Sequence, residues 1–453
     1  MNTIYKITAK INFPEGVAPG AGAVSNRQIV SKNGRDEFIL RGTALAGALR
    51  SAYRNSVGTN KADRWFGSAL DEFRENESFI QISDTVLDCK TVNERTHNMI
   101  NRHTGVVAKG ALFSLEATPP GASAFLSITL KSGAGSREEY IEFINDLARI
   151  FGAELLVGGN SNRGIGRMRV DGGLYLRAFD LDDIEAVAAW MDAEYEERKS
   201  GVRLQGDKVA VPEEASLLSV NLELGVPRGE DLLVGDGQDT DYALKPQKVY
   251  FADGSDHWRI PGSSLRGIVR SWMSRLAARE GMNIRDSYDQ WSRQSQGDHK
   301  ADDAGWGFVD PLDREDYQED PSLLEDPILD LFGSMYKKGR LHITDSFSSA
   351  NTADDDVQDR MHVAIDRFSG GANEGALFSN QVLVSGTLKF PVKISVANPT
   401  KTEAKLLAKT LRAIHLGILL IGSSKSGGRL EIKSITVTGK HGEELESLCK
   451  EIM

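Results

Sequence analysis

Five sequence blocks occur twice in this chain of 453 residues, each time in the same order. The pairs are GTALAGALRS at 42–51 and GSSLRGIVRS at 262–271, WFG at 65–67 and LFG at 331–333, IQISDTVL at 80–87 and LHITDSFS at 341–348, INRHTGVVAKGALF at 100–113 and IDRFSGGANEGALF at 365–378, and GGNSNRGIGRMRV at 158–170 and IGSSKSGGRLEI at 421–432. Chance can repeat one block, but five blocks in one order indicate a duplicated domain. The fold must therefore hold two similar units joined head to tail.

The spacing of the two copies differs mainly between the first and second blocks. Gly42 and Gly67 are 25 residues apart, whereas Gly262 and Gly333 are 71 apart. The extra residues are acidic, since 285–330 holds 14 Asp and Glu against 4 Lys and Arg, nearly all of the net charge of −11. We interpret this stretch as an inserted loop or lid, with a solvated disordered loop as the alternative. Its tryptophans, Trp291 and Trp306, favour a docked lid.

The hydrophobic periodicity of each copy predicts the order β-α-β-β-α-β. The predicted elements are strands at 4–13, 79–87 and 166–176, helices at 43–55 and 137–151 and a hairpin at about 111–130 in the first copy, and strands at 217–224, 340–347 and 429–437, helices at 263–280 and 402–420 and a hairpin at about 376–392 in the second. This is the order of a ferredoxin-like fold. We therefore predict an α+β protein of two tandem ferredoxin-like (RRM-like) domains. Their bounds are 1–176, 177–214 for a linker with one helix, and 215–453 with an insertion at about 282–330.

Composition favours a reducing compartment and leaves a nucleic-acid partner open. The first residues lack the apolar segment of a signal peptide, and no apolar run is long enough to span a membrane. The two cysteines, Cys89 and Cys449, are far apart, so we expect a cytoplasmic protein without disulfides or structural zinc. Outside the acidic stretch the charge is close to neutral, and nucleic-acid binding depends on local basic patches.

Two repeated segments could hold phosphates. Small residues at the start of a helix leave backbone N–H groups for a phosphate, and glycine-rich loops form anion-binding nests. The candidates at the helix starts are Arg41, Thr43, Arg50, Ser263, Ser264, Arg266 and Arg270. The candidates in and after the glycine loops are Asn160, Asn162, Arg163, Arg167, Ser423, Ser424 and Lys425. The alternatives are an ordinary helix cap with surface arginines and a flexible hairpin.

A third repeated segment precedes the predicted hairpins and reads as a long polar excursion from the sheet. Its candidate RNA contacts are Asn101, Arg102, His103, Arg367 and Asn373, with a solvated loop as the alternative. Standard catalytic motifs such as GxSxG and HExxH do not occur in the sequence. The glycine loops follow a helix and precede a strand, which is the reverse of a dinucleotide-binding turn.

The blocks PGSSLRG, LFG with the following ITD strand, AIDRFSGGAN and the last glycine loop resemble the RAMP superfamily across both copies. More narrowly, the chain resembles backbone subunits of type III CRISPR effector complexes, and its fused form is similar to the double-domain subunits of type III-D systems. The resemblance implies a subunit that binds guide RNA (crRNA), complementary target RNA and other RAMP subunits. It implies no association with a membrane. A protruding hairpin in each copy, at 93–110 and 359–375, would wedge into the guide–target duplex and flip out a base.

The resemblance also implies a metal-dependent endoribonuclease that cuts guide-paired target RNA within the assembled complex. The family's catalytic Asp is expected about sixteen residues before Gly262, where Pro246 stands. We predict that the nearest aspartate, Asp241, is catalytic and holds Mg²⁺ or Mn²⁺, with Asp239 as the other candidate. The corresponding loop of the first copy, at 14–28, contains no Asp, so we predict that this copy binds RNA without cutting it.

Three other functions remain open from the sequence. The first is a non-catalytic RNA-binding scaffold of the same complex, in which these aspartates are solvated loop charges. The second is a guide-processing ribonuclease, which needs a histidine or tyrosine base and finds no convincing pair among His97, His103 and His362. The third is a general single-strand RNA binder, which would bind RNA as an isolated chain with strong salt dependence.

Overall fold

The computed structural model describes residues 2–24, 27–67, 77–98, 113–212, 217–236, 242–282, 284, 326–333, 338–384, 386–422 and 428–450. We call 2–212 the first half of the chain and 217–450 the second half. Across these residues the protein is a mixed α+β structure with several small sheets. Most of the acidic insertion, with Trp291 and Trp306, lies outside the described residues.

The elements follow in chain order. The strands are β1 Thr3–Phe13, β2 Gly20–Val24, β3 Arg27–Val30, β4 Ile39–Leu40, β5 Ile80–Ile82, β6 Thr85–Val86, β7 Asn93–His97, β8 Phe113–Ala117, β9 Ala122–Leu130, β10 Arg169–Asp180, β11 Asp207–Val209, β12 Leu217–Gly225, β13 Gly235–Asp236, β14 Lys245–Tyr250, β15 Asp256–Ile260, β16 Leu341–Ile343, β17 Ser346–Phe347, β18 Val357–Ile365, β19 Ala372–Leu383, β20 Lys389–Ala397 and β21 Glu431–Thr438. The helices are α1 Gly42–Ser56, α2 Thr59–Phe66, α3 Arg137–Gly152, α4 Ile184–Ser200, α5 Gly262–Arg279, α6 Pro327–Phe332, α7 Lys401–His415 and α8 Gly442–Lys450, with 3₁₀ turns at Ser161–Arg163 and Asp354–Asp356.

The main sheet of the first half has the strand order β11-β10-β1-β9-β5, and all neighbouring strands are antiparallel. Every second residue of β1, including Ile7 and Ile11, is buried against α1 and α3. These helices contribute Leu45, Leu49 and Phe143 to the same core. The amphipathic pattern of the sequence therefore places both helices on one face of this sheet.

The main sheet of the second half has the strand order β16-β20-β12-β21, again with antiparallel neighbours. Val220 of β12 packs in one core with Leu265 and Val269 of α5 and with Leu407 of α7. The spatial order β10-β1-β9-β5 thus recurs as β21-β12-β20-β16, where each strand has the same place along its own copy of the repeat. Helices cover one face of each sheet in the same arrangement.

The two predicted hairpins at about 111–130 and 376–392 are wrong. Strand β8 pairs with β3 and β7, whereas β9 pairs with β1 and β5. In the second half β19 pairs with β18, whereas β20 pairs with β12 and β16. In the first half the chain changes sheets at Pro119 and Pro120, which have no N–H to continue a ladder, and at Gly121, whose φ is 81°.

The segment interpreted as a linker packs on the first half of the chain. Strand β10 continues to Asp180, and β11 adds an edge strand beside it. Helix α4 lies over the face of the main sheet that is opposite α1 and α3. There the buried Lys6 amino group contacts Glu194 at 2.6 Å and Glu197 at 2.5 Å, and the Ser127 hydroxyl donates to Glu197 at 3.1 Å. This part of the first sheet is therefore covered by protein and closed to RNA in this arrangement.

Candidate nucleic-acid interface

The first turns of α1 and α5 are capped in the same way. The Asp84 carboxylate accepts a hydrogen bond from the Gly42 N–H at 2.8 Å, and the Asp345 carboxylate accepts one from the Gly262 N–H at 2.8 Å. Both aspartates interrupt strands that the sequence predicts as continuous. One donor at each helix start, a predicted phosphate site, is thus occupied by a protein carboxylate, whose charge repels phosphate.

The predicted residues of α1 have different surroundings. Arg41 and Thr43 are exposed at the start of the helix. The Arg41 guanidinium lies 3.4 Å from the Ser31 hydroxyl. Arg50, two turns later, contacts the Asp63 carboxylate at 2.7 Å. Arg41 is therefore better placed than Arg50 to meet a phosphate, since it has no carboxylate partner within the salt-bridge distance among the described residues.

The predicted arginines of α5 contact other residues of the second half. Ser263 and Ser264 are half-buried at the helix start. The Arg266 guanidinium donates to the Phe332 carbonyl and to a carbonyl of β16, and it lies 5.2 Å from the centre of the Phe332 ring. Arg270 lies 6.0 Å from the same ring. These contacts fix α5 to the segment that follows the insertion, so Arg266 is a packing residue in this arrangement.

The glycine loop of the first half, residues 158–164, exposes only some of its predicted phosphate-binding residues. Asn162 is exposed, and the Asn160 amide donates to the Gln28 side chain at 2.6 Å. The Arg163 guanidinium lies 4.3 Å from the centre of the Phe113 ring. Burial lowers the pKa of Arg163 to about 10, which leaves it charged at neutral pH.

Arg167 is buried and binds two carboxylates. It contacts Glu15 and, at 3.1 Å, Glu154. Burial opposes ionisation of Glu154, but Arg167 and Lys393 hold the pKa of that carboxyl below its ordinary value. The prediction that Arg167 contacts RNA is therefore not supported by its surroundings, because both neighbours neutralise it inside the protein.

A groove of about 550 Å³ brings two of the predicted sites together. Arg41, which directly precedes α1, and the glycine loop lie on its walls, and Lys338 and Gly339 of the second half complete it. Lys338 is exposed and lies five residues after Gly333, the last residue of the repeated LFG block. Lys338 is not among the residues predicted from the sequence, and its position close to that repeated block is the signal that could identify it. The groove is suited to a phosphate backbone, since cations and a glycine loop converge on it.

The two halves meet at a buried ion cluster that the sequence analysis missed. Arg95 of β7 contacts the Asp345 carboxylate, and Arg259 of β15 lies 3.6 Å from the same group. The Arg95 and Asp345 side chains are 1% and 0% exposed. Beside them Glu154 binds Lys393 and accepts from the Ser395 hydroxyl. The repeated Asp of the ISD and ITD blocks was the signal that could have identified this cluster.

Strands β18 and β19 form a two-stranded ribbon, which we call the second ribbon, with its turn at 366–371. Its apolar side chains towards the turn are exposed, and Phe368 at the turn is fully exposed, whereas Val382 and Leu383 at the other end of β19 are buried. The other large apolar side chains that are exposed are Met361, Val363, Ile365, Leu377 and Phe378. The predicted Arg367 and Asn373 are exposed at the same end. The predicted excursion of the second copy is thus a ribbon with an apolar surface and not a polar loop.

The predicted catalytic aspartates, Asp239 and Asp241, lie outside the described residues, as do the candidates Asn101, Arg102, His103, Ser423, Ser424 and Lys425. The residues that flank 237–241 are described, and both flanks contact the second ribbon. On one side Arg360 of β18 contacts Asp231 at 3.0 Å. On the other, the Tyr242 hydroxyl donates to Asp359 at 3.1 Å, and the Ala243 N–H donates to the Ser379 carbonyl at 2.9 Å.

The described residues do not fit a preformed metal site. Within the described ranges no group of three or more His, Cys, Asp or Glu could hold a metal ion. The described carboxylates that flank 237–241, Asp231 and Asp359, accept from Arg360 and Tyr242. The predicted Mg²⁺ or Mn²⁺ therefore stays a prediction that concerns residues outside the described ranges.

Comparison with known families decides the membership of this chain. The RAMP superfamily matches residues 16–169 and 232–431, which is more than half of the sequence and includes both copies. The chain belongs to the RAMP superfamily. This membership identifies a CRISPR-associated RNA-binding subunit. A search of curated proteins gave no match.

Each matched region of this RAMP protein includes two strands of a main sheet, β5 and β9 or β16 and β20, and one of the two ribbon-like strand pairs, β7–β8 or β18–β19. The match also includes the glycine loop of the first half and the walls of the groove. Among the described residues, no helix is both long and apolar enough to cross a membrane.

Proposed function

We propose that the chain is a guide-RNA-binding backbone subunit of a type III CRISPR effector complex and that its second half cuts target RNA at one site. In this proposal each half is a ferredoxin-like domain. The shared strand order of the two main sheets and the helices on one face of each support that assignment. The guide backbone would lie in the groove beside Arg41 and Lys338, where cations line the wall.

The observation that carries this proposal is the second ribbon. Exposed apolar side chains on a ribbon that stands away from the core are costly in water, so they favour a partner with flat apolar surfaces. Nucleobases are such a partner, and apolar side chains that enter a base step unstack it and bend the duplex. Phe368 and Ile365 at the turn would enter the guide–target duplex, while Arg367 would meet its phosphates.

The proposed cleavage site lies beside the base of this ribbon. Residues 237–241 join β13 to β14, and their described flanks hydrogen-bond to β18 and β19 through Tyr242 and Ala243. A nucleotide displaced by the ribbon would leave its 2′-hydroxyl free to align with the adjacent phosphate. A carboxylate in this segment could accept the hydroxyl proton, and we assign this role to Asp241, with Asp239 as the alternative. The Mg²⁺ or Mn²⁺ requirement is part of the proposal.

The first half would bind RNA without cutting it. Its corresponding loop at 14–28 has no Asp, and its acidic residue, Glu15, is buried against Arg167. That carboxylate is therefore buried in an ion pair and cannot reach the RNA in this arrangement. One chain would thus make two contacts with the guide and one cut in the target.

Cleavage of labelled target RNA by the complex assembled on guide RNA tests the proposal. We expect one cut for each copy of the chain, complete loss with Asp241→Ala, and loss with EDTA that Mg²⁺ restores. Asp239→Ala serves as the matched variant in the same segment, and it should retain cleavage if Asp241 is the active group.

Guide binding by each variant is measured in parallel, because loss of binding would also remove cleavage. Unchanged cuts with both variants would contradict the catalytic assignment and leave a non-catalytic scaffold. Failure of the assembled chain to retain guide RNA would contradict the proposed function as a whole.

A further inference from the structure

Helix α4 carries a row of apolar side chains on its outer side, which we call the α4 stripe. Ile184 is 83% exposed, and Met191 and Tyr195 are each 61% exposed. Ala188 lies between them and is also exposed. Their spacing of four, three and four residues places these side chains in one row along the helix, as in the seam of a coiled coil. The α4 stripe is therefore a continuous apolar surface and not a set of scattered exposed residues.

The other side of α4 packs on the main sheet of the first half. There Glu194 and Glu197 contact the buried Lys6 amino group, and Ala186 and Trp190 are half-buried. A helix that is apolar on two sides is typical of a helix that is packed on both. Among the described residues the sheet covers one side of α4, and the α4 stripe on its other side stays open to a partner.

This helix lies outside the part of the chain that the family match includes. The RAMP superfamily matches 16–169 and 232–431, and α4 lies between these regions. The groove and the second ribbon, which carry the proposed RNA contacts, do not include any residue of α4. The role of the α4 stripe therefore has to be argued from its own residues.

A row of charged side chains borders the α4 stripe. Glu185, Asp192 and Lys199 are exposed and follow each other at seven residues, which is two helical turns. The Lys199 amino group lies 5.7 Å from the centre of the Tyr195 ring, next to the stripe. The row is acidic at the start of the helix and basic at its end. In an antiparallel pair of these helices centred on Asp192, Glu185 of each helix would meet Lys199 of the other.

We propose that the α4 stripe binds the α4 stripe of a second copy of this chain, as an antiparallel helix pair around a two-fold axis. Met191 would lie near its counterpart at the centre, and Ala188 of each copy would pack against Tyr195 of the other. A two-fold contact uses the same surface on both copies, so association stops at the dimer. The proposal goes beyond RNA binding, since it needs neither guide nor target.

The charges and the size of the surface set what this contact can be. RNA is the less suitable occupant, because the carboxylates of Glu185 and Asp192 beside the stripe repel phosphates. One helix pair is smaller than the about 1,200–2,000 Å² that a stable interface buries, so the dimer is weak. Asp192 also faces its own counterpart across the axis, which weakens the dimer further. Dimers are therefore expected at high protein concentration.

Sedimentation velocity of the RNA-free full chain tests the proposal over a series of protein concentrations. We expect the wild type to form dimers and nothing larger, and Met191→Asp to stay monomeric. Met361→Asp is the matched control, because Met361 of the second ribbon is 70% exposed, and this variant should dimerise like the wild type. Asp192→Asn should lower the dissociation constant of the dimer about two- to fivefold, since it removes one repulsive surface pair.

Reversing the charges gives the decisive result. Glu185→Lys and Lys199→Glu each turn two ion pairs of the dimer into two like-charge pairs, so each should raise the dissociation constant about tenfold. An equimolar mixture of the two variants restores both ion pairs, as does the double variant, and both should dimerise like the wild type. Circular dichroism confirms the fold of each variant.

A wild type that stays monomeric at all concentrations would overturn the proposal and would leave a different protein as the occupant of the stripe. Undiminished dimerisation of Met191→Asp, or a mixture of the charge-reversed variants that fails to recover, would also overturn it. These results are independent of the proposed RNA function, because neither guide binding nor cleavage enters the assay.

Discussion

Replacing one buried carboxylate should lower the unfolding free energy of the whole protein much more than the same replacement at its exposed counterpart. Asp345→Asn keeps an oxygen that can accept the Gly262 N–H at the start of α5. It removes the negative charge that faces Arg95 and Arg259, whose side chains are 1% and 6% exposed. Two guanidinium groups then share a buried site without their carboxylate.

The expected cost follows from that burial. Breaking a buried ion pair by removing one partner costs about 3–5 kcal/mol, because the remaining charge stays out of water. Asp84→Asn changes the same cap in the first half, but Asp84 is exposed and the described residues place no arginine against it within salt-bridge distance. Only the interaction with the helix dipole is lost there, about 0.3–1 kcal/mol.

Urea unfolding of both variants at neutral pH measures the difference in unfolding free energy. A double-mutant cycle with Arg95→Gln isolates the coupling between Arg95 and Asp345, which should be at least about 1 kcal/mol. Equal losses for Asp345→Asn and Asp84→Asn, or zero coupling in the cycle, would refute the argument that this ion pair joins the two halves.

Further predictions concern pH, the groove and the second ribbon. Burial lowers the pKa of His97 to about 3 and of His342 to about 4, so between these values and 6.5 the unfolded chain binds more protons. The unfolding free energy should therefore fall by about 1.4 kcal/mol per histidine for each pH unit below 6.5, and His342→Asn should reduce this slope in urea titrations. Arg41→Ala and Lys338→Ala should each weaken guide binding for all guide sequences and reduce the slope of log binding constant against log salt concentration by about 1. Filter-binding curves over a series of salt concentrations measure this slope, and an unchanged slope would show that the groove is not the RNA path. Phe368→Ser should leave stability unchanged and lower the fluorescence of a base analogue at the displaced position; an unchanged signal would contradict insertion of the ribbon.

Periodicity predicts α1, α3, α4, α5 and α7 and the order of the main-sheet strands along the chain, but it does not predict the shorter helices α2, α6 and α8. The spacing of Leu45, Ala48 and Leu49 predicted α1, and the same spacing predicted α5, because one apolar face must be buried. Pairing partners were harder to predict. Strands β8 and β9 are adjacent in sequence and separated by a turn, which is also the pattern of a hairpin, and only their tertiary partners place them in different sheets.

The candidate site was predictable as a set of segments but not residue by residue. Arg163 and Arg167 both lie in the repeated glycine block, yet Arg163 stacks on Phe113 and Arg167 binds Glu15. Their sequence context does not distinguish these roles, because Glu15 approaches from a distant loop. The repeated Asp84 and Asp345 were visible as a pair, but their role as helix caps depends on the break in each strand.

Photo-crosslinking tests the central claim most directly. A guide–target duplex with photoreactive bases is assembled with the chain, irradiated and digested, and the crosslinked peptides are identified by mass spectrometry. We expect target crosslinks at Phe368 and Arg367 of the second ribbon and guide crosslinks beside Arg41 and Lys338 in the groove. Crosslinks confined to other surfaces, with the ribbon and the groove unlabelled, would contradict it.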